Sequence, residues 1–395
     1  MRSEMSRVER KSLVYRLADV LQLNREPVSV DRQREYPNLG IYSFGRGLFP
    51  KPPIDGATTS ASTLYRVRAG QFIYSRLFAF EGAFGLVGPE MDGRYVSNEY
   101  PTFDVDRALA LPEFLGLTIC RPSVWDELAA MTVGMGHRRQ RLRPDDFLAF
   151  EIELPPLDKQ RAIIDLIQAV EAQQTNATTA AHATQELLVA AREHLLQRVD
   201  DLEPLSGVVE RLEAGSSPRC LDRPPLHNEW GVLKTSSVRA GWFRPHEAKA
   251  LPSDVTPRAR AEVRDGDIVT IRASGSRRLV GAFCRVVSSP PRRLLSDYHW
   301  RVHVRTDRID PDYLVEVMAC SDVRAQIEDA TTGSTTAGKV SQASMLGLEI
   351  PLLANVSDQR ELVATLKPIR EASIAYDREV AAAKCLRAVT LEELL

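Results

Sequence analysis

The sequence predicts an α+β chain: two copies of one α+β domain, separated by two long antiparallel helices of coiled-coil type. Three observations predict it. Seven landmarks in the first half return in the second: Gly70, Gly82, Tyr100, Pro112, Gly134, Glu151 and Gln160 match Gly266, Gly281, Tyr298, Pro311, Gly333, Glu349 and Gln359. Their separations run only from 196 residues (Gly70 to Gly266) to 199 (Gly82 to Gly281), a regularity that marks a duplicated domain. Within each copy, short β-like runs are punctuated by Gly and Pro, and after each copy the texture turns helical. The expected boundaries are 1–152 for the first domain, 153–203 for the first long helix, 204–352 for the second domain and 353–395 for the second long helix.

Taken in order, the first globular part offers Gln71-Phe72-Ile73-Tyr74 as a strand-like run, with turns at Gly45-Arg46-Gly47 and Gly88-Pro89. The second offers Asp267-Ile268-Val269-Thr270-Ile271, with a turn at Ser289-Pro290-Pro291. Helix-like stretches at 111–131 and 311–329 complete a mixed domain in each copy. From Leu157 to Glu203 there is no Gly and no Pro. Apolar or small residues recur there roughly every 3.5 positions, at Ile163, Ile167, Val170, Ala177, Ala181, Leu188, Ala191, Leu195 and Leu202, interrupted by Gln174 and Thr184. One helix of that span would be roughly 70 Å long at ~1.5 Å per residue. The second long helix begins near Ser357 with the seam Leu362, Leu366, Ile369, Tyr376, Val380, Ala383 and Leu394, and Pro368 inside it should kink or restart it. Two matched helices pair most simply with each other; the alternative lays each on its own domain.

Composition excludes several classes. At 395 residues, with 44% hydrophobic and 26% charged residues, the chain is an ordinary globular one of two or three domains. A net charge of −2 means that any nucleic-acid binding must come from local basic patches. The five cysteines, Cys120, Cys220, Cys284, Cys320 and Cys385, stand apart without a C-x-x-C pair, against a zinc site or disulfide framework and in keeping with a reducing cytoplasm. The opening MRSEMSRVERKS is charged and lacks the apolar core of a secretory signal, and no run of apolar residues is long enough for a membrane span.

The segment 148–163, LAFEIELPPLDKQRAI, resembles the end of a target-recognition domain in the specificity subunits of Type I restriction-modification enzymes. In that family a strand leads to a proline turn and then to a glutamine opening a long helix; Ile152, Leu154, Pro155, Pro156, Leu157, Gln160 and Arg161 supply those pieces here. The second copy supplies Leu348-Glu349-Ile350-Pro351-Leu352 and Gln359-Arg360, with Leu353-Ala354-Asn355-Val356 in place of the double proline. Gly70 to Arg76, Gly82 to Gly85 and Ser97 to Phe103 also look like the family, and the order domain, helix, domain, helix covers nearly the whole chain. Physically, Pro155-Pro156 stops the strand, Asp158 suits the first helical turn, and the Gln160 amide is placed to hold the turn to the globular domain.

The candidate DNA-contacting residues are Arg76, Arg138, Arg139, Arg141, Arg143, Arg272, Arg277, Arg278 and Lys339. His137-Arg138-Arg139-Gln140-Arg141-Leu142-Arg143 follows two glycines and concentrates positive charge suited to phosphates and base edges; the bland reading is a solvated loop, or one paired with Asp145 and Asp146. The matching segment Gly333 to Lys339 is glycine-rich and carries one positive charge, so the two halves should read different sequences. Arg76 and Arg272 end matched strand-like runs, for a shared phosphate clamp or for a buried ion pair.

No catalytic residue and no metal site is expected. There is no phosphate loop, no G-x-G-x-x-G after a strand, and no Asn-Pro-Pro-aromatic or Asp-Pro-Pro-aromatic motif. His299 and His303 flank Trp300 in a strand-like run and read as structural. The resemblance implies a non-catalytic reader of a bipartite, asymmetric double-stranded DNA target. Its partners would be two methyltransferase (modification) subunits, which methylate adenine with S-adenosylmethionine, and ATP-driven restriction subunits; the chain itself would bind neither cofactor. The competing readings are a coiled-coil assembly scaffold without DNA recognition and a specificity module of another phage-defence system.

Overall fold

The computed structural model describes residues 12–131, 141–334 and 337–395. The chain divides into two compact units, 1–174 with 382–395, and 175–381.

In the first unit a four-stranded antiparallel sheet runs Leu21–Leu23, Thr102–Val105, Phe72–Tyr74, Phe84–Leu86. Phe72, Ile73 and Tyr74 are all buried, because Phe72 and Tyr74 pack into a core with Phe114 and Phe147 while Ile73 packs on the other side with Leu39, Val67 and Val96. Phe147 sits at the centre of an aromatic core, 4.8 Å from the Tyr74 ring and within 5.9 Å of Phe72, Phe84 and Phe103. Gly82, at φ +75°, turns the chain under Trp125; a Cβ there would lie 2.4 Å from the indole. A five-stranded sheet, in the order Glu26–Ser29, Thr63–Arg66, Tyr95–Val96, Glu35–Ile41, Leu48–Asp55, is added to this frame.

The second unit repeats the frame. Its four-stranded antiparallel sheet runs Val209–Ala214, His299–Val304, Ile268–Ile271, Phe283–Arg285, strand for strand the order of the first. Gly281, at φ +66°, matches Gly82 and lies against Ile327. The added sheet differs: three strands, Ala248–Ala250, Gly231–Leu233 and Arg293–Leu294, one pair of them parallel. A shared frame carrying unlike insertions is how one fold presents two surfaces.

Both long helices form, Leu157–Leu196 and Val356–Leu394. Ile167, Val170, Ala177, Ala181 and Leu188 are buried as the seam predicts. In the second unit Ser373 Oγ donates to Gln185 Oε1 at 3.2 Å, and in the first Arg387 Nε donates to Glu171 Oε1 at 2.8 Å.

Four expectations need correction. The first long helix ends at Leu196, and Leu202 opens the strand Leu202–Pro204, which pairs with Glu349–Pro351. Leu202 is therefore exposed, because backbone pairing with a distant strand outweighs the helical pattern. Leu394 is also exposed, as the seam runs out in the last turn. Pro368 does not restart the second helix: one lost backbone hydrogen bond is offset by the burial of Leu362 and Leu366 on the same segment. The stretches 111–131 and 311–329 each break in two, as Pro112–Ile119 with Pro122–Met131 and Pro311–Val317 with Ser321–Ala330. In the first copy Pro122 explains the break, since the residue before a proline avoids the helical region.

Candidate nucleic-acid interface

The two copies build one turn twice. In the first unit the strand Phe72–Tyr74 runs on through Ser75 to Arg76, whose N–H donates to Glu99 O at 2.9 Å and whose carbonyl accepts from Leu142 N at 3.0 Å. In the second, Arg272 N–H donates to Tyr298 O at 2.9 Å and its carbonyl accepts from Val340 N at 2.9 Å. The same three-way junction thus brings the segment that follows Pro122–Met131, and in the second copy the segment that follows Ser321–Ala330, beside the strand end. It places Arg141 next to Arg76 and Lys339 next to Arg272 in sequence-distant pairs that spacing alone does not reveal.

The side chains at the two junctions differ. Arg141 Nε lies 3.3 Å from Glu99 Oε2, both partly exposed. Arg143 reaches Asp145 at 4.0 Å, both largely exposed, an arrangement that contributes little to stability. Arg272 instead lies over Trp300, 5.7 Å from the ring centroid. Lys339 stands opposite Ala273 and Thr332 in a small three-stranded sheet and is exposed. Arg76 and Arg272 share one feature: each Nε is buried and has no hydrogen-bond partner among the described residues. The ion pair that the sequence allowed for these two positions is thus not formed among the described residues.

Arg277 and Arg278 part company. Arg277 Nη2 donates to the carbonyls of Glu328 at 3.0 Å and Thr331 at 2.8 Å, which ties the turn to a neighbouring helix. Arg278 is exposed, and its carbonyl accepts from Arg324 Nη2 at 3.3 Å. Arg138 and Arg139 lie outside the described residues.

Sequence reasoning missed Arg25. Its guanidinium lies 5.2 Å from the Tyr65 ring centroid, its Nε is buried without a partner among the described residues, and its charge is felt at Tyr74 beside that of Arg76. Burial nonetheless pushes the Tyr74 phenol well above its ordinary range, so it stays a neutral donor, to Leu142 O at 3.2 Å. No local cluster around Arg25 in the sequence signals this. The partner of Arg141 was more legible, since Glu99 sits in the family-like run from Ser97 to Phe103.

The histidines are structural. His299 is fully buried, with Nδ1 2.7 Å from Ser296 Oγ, and burial pushes its pKa down to about 4. His303 Nε2 lies 3.0 Å from Glu213 Oε2; that hydrogen bond, with Arg301, holds the Glu213 carboxyl below its usual range. Among the described residues no three His, Cys, Asp or Glu side chains are arranged to hold a metal ion, and no helix is long and apolar enough to cross a membrane.

Known proteins are similar to the chain in sequence and in fold. Over 108 residues the chain is 38% identical to the specificity subunit of the Type I restriction enzyme EcoEI of Escherichia coli, a match covering 27% of this chain and 18% of that protein. Over 268 residues it is 23% identical to the specificity subunit of EcoKI from Escherichia coli strain K12, covering 63% of this chain and 57% of that protein. The match thus spans less than two thirds of either relative. The Type I restriction-modification S subunit of M. genitalium superposes with a TM-score of 0.61 at 11% identity, over 100% of this chain and 99% of that one, which shows a shared fold. No protein-family model matches the chain. The fold is therefore the S-subunit fold. The resemblance to Type I specificity subunits carried by the motifs is met by these relatives.

Proposed function

We propose that this chain is the sequence-specific DNA-recognition subunit of a Type I restriction-modification complex, acting in the cytoplasm. It reads a bipartite, asymmetric duplex target and directs adenine methylation or restriction by its partners. The observation that carries this reading is the duplicated junction: Arg76 and Arg272 sit in the same backbone geometry but among different neighbours. Identical frames with unlike surroundings suit two half-sites of unlike sequence, with phosphate contacts setting position and base contacts setting specificity.

In this reading residues 1–152 and 204–352 are the two target-recognition domains. The helices Leu157–Leu196 and Val356–Leu394 form an antiparallel coiled-coil spacer that sets the distance between half-sites. Arg76, Arg138, Arg139, Arg141, Arg143, Arg272, Arg277, Arg278 and Lys339 supply the positive charge that meets DNA. Arg277 acts chiefly by fixing the turn, because its guanidinium is already engaged by two carbonyls. The chain does no chemistry itself. Two methyltransferase subunits dock on the exposed helix faces and restriction subunits join them.

The test is methylome sequencing of a host with and without this gene, its modification and restriction genes retained. The expected result is one bipartite adenine-methylated motif that disappears with the gene. An unchanged methylome, with no duplex binding by the purified complex, would leave the scaffold reading instead.

A further inference from the structure

A recess of about 430 Å³ opens in the second unit. Its walls are the first long helix from Ala181 to Arg192, the second from Arg370 to Asp377, and the turn from Arg239 to Trp242. Six arginines line it: Arg192, Arg239, Arg244, Arg278, Arg324 and Arg370. Most of the carboxylates near them stand off the lining. Glu316, buried behind the wall, pairs with Arg192 Nε at 2.7 Å and also with Arg370. Asp377 stands on the lining. The nearby Asp312 and Glu247 are held by Arg285 at 2.6 Å and Lys234 at 3.0 Å. On the lining itself six guanidiniums stand with one carboxylate, Asp377; Glu193, Glu328 and Glu371 act on Arg192, Arg324 and Arg370 from outside it.

Several donors in this recess are buried and idle. Arg244 Nε, Arg324 Nη1 and Arg370 Nε have no hydrogen-bond partner among the described residues. Burying a cationic donor without a partner is costly, and so is crowding like charges. Burial, and then the charges of Arg244 and Arg278, push Arg239 below its ordinary range. Yet the side chains are held in place: Arg324 Nη2 by the Arg278 carbonyl at 3.3 Å, and Arg244 by the Trp242 ring at 4.0 Å. A set of preorganised, under-satisfied guanidiniums is the arrangement that an oxyanion completes, since each fork matches two phosphate oxygens.

We propose that this recess binds a small phosphate-class anion carrying at least two negative charges. Its volume lies in the range of small-ligand sites, roughly 300–1,000 Å³, and is far too small to admit a duplex. Only a phosphate group on a short or terminal stretch could enter from a nucleic acid. The inference does not rest on the DNA-recognition reading and survives its failure.

The test uses the purified full chain with pyrophosphate as probe, by titration calorimetry and thermal unfolding, against chloride at matched ionic strength. Saturable binding and a raised melting temperature are expected with pyrophosphate and not with chloride. Arg239→Gln with Arg244→Gln should weaken binding at least tenfold. Should that pair fail to fold, Arg278→Gln, on an exposed side chain, keeps the question open to a decision; circular dichroism without ligand reports folding in each case. Competition with a duplex lacking any recognised motif separates the sources: displacement names a nucleic-acid phosphate, no displacement a free small anion, and both keep the phosphate assignment. Non-saturable binding, an equal effect of chloride, or folded variants that bind like the parent would overturn it.

Discussion

Gln160 and Gln359 make the same three hydrogen bonds in the two copies. Gln160 Oε1 accepts from Leu111 N at 2.8 Å, and its Nε2 donates to the carbonyls of Leu109 at 3.0 Å and Pro155 at 2.8 Å. Gln359 Oε1 accepts from Asp310 N at 2.7 Å, and its Nε2 donates to Arg308 O at 3.0 Å and Leu353 O at 2.8 Å. Both side chains are fully buried. Each amide therefore rivets the turn that opens a long helix to the loop before a short helix of the adjoining globular part. This is the positioning role expected of Gln160, and it suits glutamine because its amide accepts one hydrogen bond and donates two at this reach.

Gln160→Ala and Gln359→Ala should each destabilise the chain. Each leaves one buried N–H and two carbonyls without their partner, a loss of about 1–3 kcal/mol for an orphaned group. Urea unfolding of the two variants should show comparable drops in midpoint. A variant as stable as the parent would mean that water replaces the amide.

Glu316→Ala should cost more. Glu316 is buried with Arg192 and Arg370 as its ion-pair partners, and removing it strands two cations, a change worth about 3–5 kcal/mol for a buried pair. Denaturant titration is the measurement. Parent-like stability would place the charge balance of this region elsewhere.

His299 makes stability depend on pH. Its folded pKa, about 4, lies below the ordinary histidine value of 6.5. Above 6.5 the ring is neutral whether the chain is folded or not, and its contribution is fully present. As pH falls from 6.5 towards 4 the unfolded chain takes up the proton first, so stability is lost at up to about 1.4 kcal/mol per pH unit from this group. His299→Gln should flatten the slope in that window. Identical pH profiles for parent and variant would acquit His299.

Replacing Arg138, Arg139 and Arg141 with Ala should weaken duplex binding by the assembled complex. If these residues meet phosphates, the salt slope falls by about one per lost contact and specificity survives. If they meet guanine, one half-site relaxes by ~1–3 kcal/mol per forked contact. Binding curves over a salt series, on matched and mismatched duplexes, separate the two; unchanged affinity and unchanged specificity remove the loop from the interface.

Seven residues inserted into each long helix, after Gln174 and after Ala381, keep a ~3.5-residue seam. They add roughly 10 Å at ~1.5 Å per residue. With ~34 Å per ~10 base pairs, the gap between half-sites should widen by about three base pairs while the bases read stay the same. The methylated motif of the variant reports this directly. An active variant keeping the original gap would falsify the spacer role.

The duplication, the α+β character, the two long helices and the glutamine that opens each of them can be read from the order of residues. These are legible because spacing and periodicity are local: a 3.5-residue seam such as Ile167, Val170, Ala177, Ala181 and Leu188 constrains one helix whatever surrounds it. The rest came from contacts between remote residues. Leu202 fits the helical pattern but pairs as a strand with Pro351, a partner far along the chain. Arg141 meets Glu99, and Arg277 is spent on the carbonyls of Glu328 and Thr331, though nothing in their spacing announces it. The six arginines of the recess are scattered from Arg192 to Arg370, and folding alone gathers them. Charge is a property of residues, but a binding site is a property of distances, and distances between remote residues are set by how the sheets and helices close on their common core.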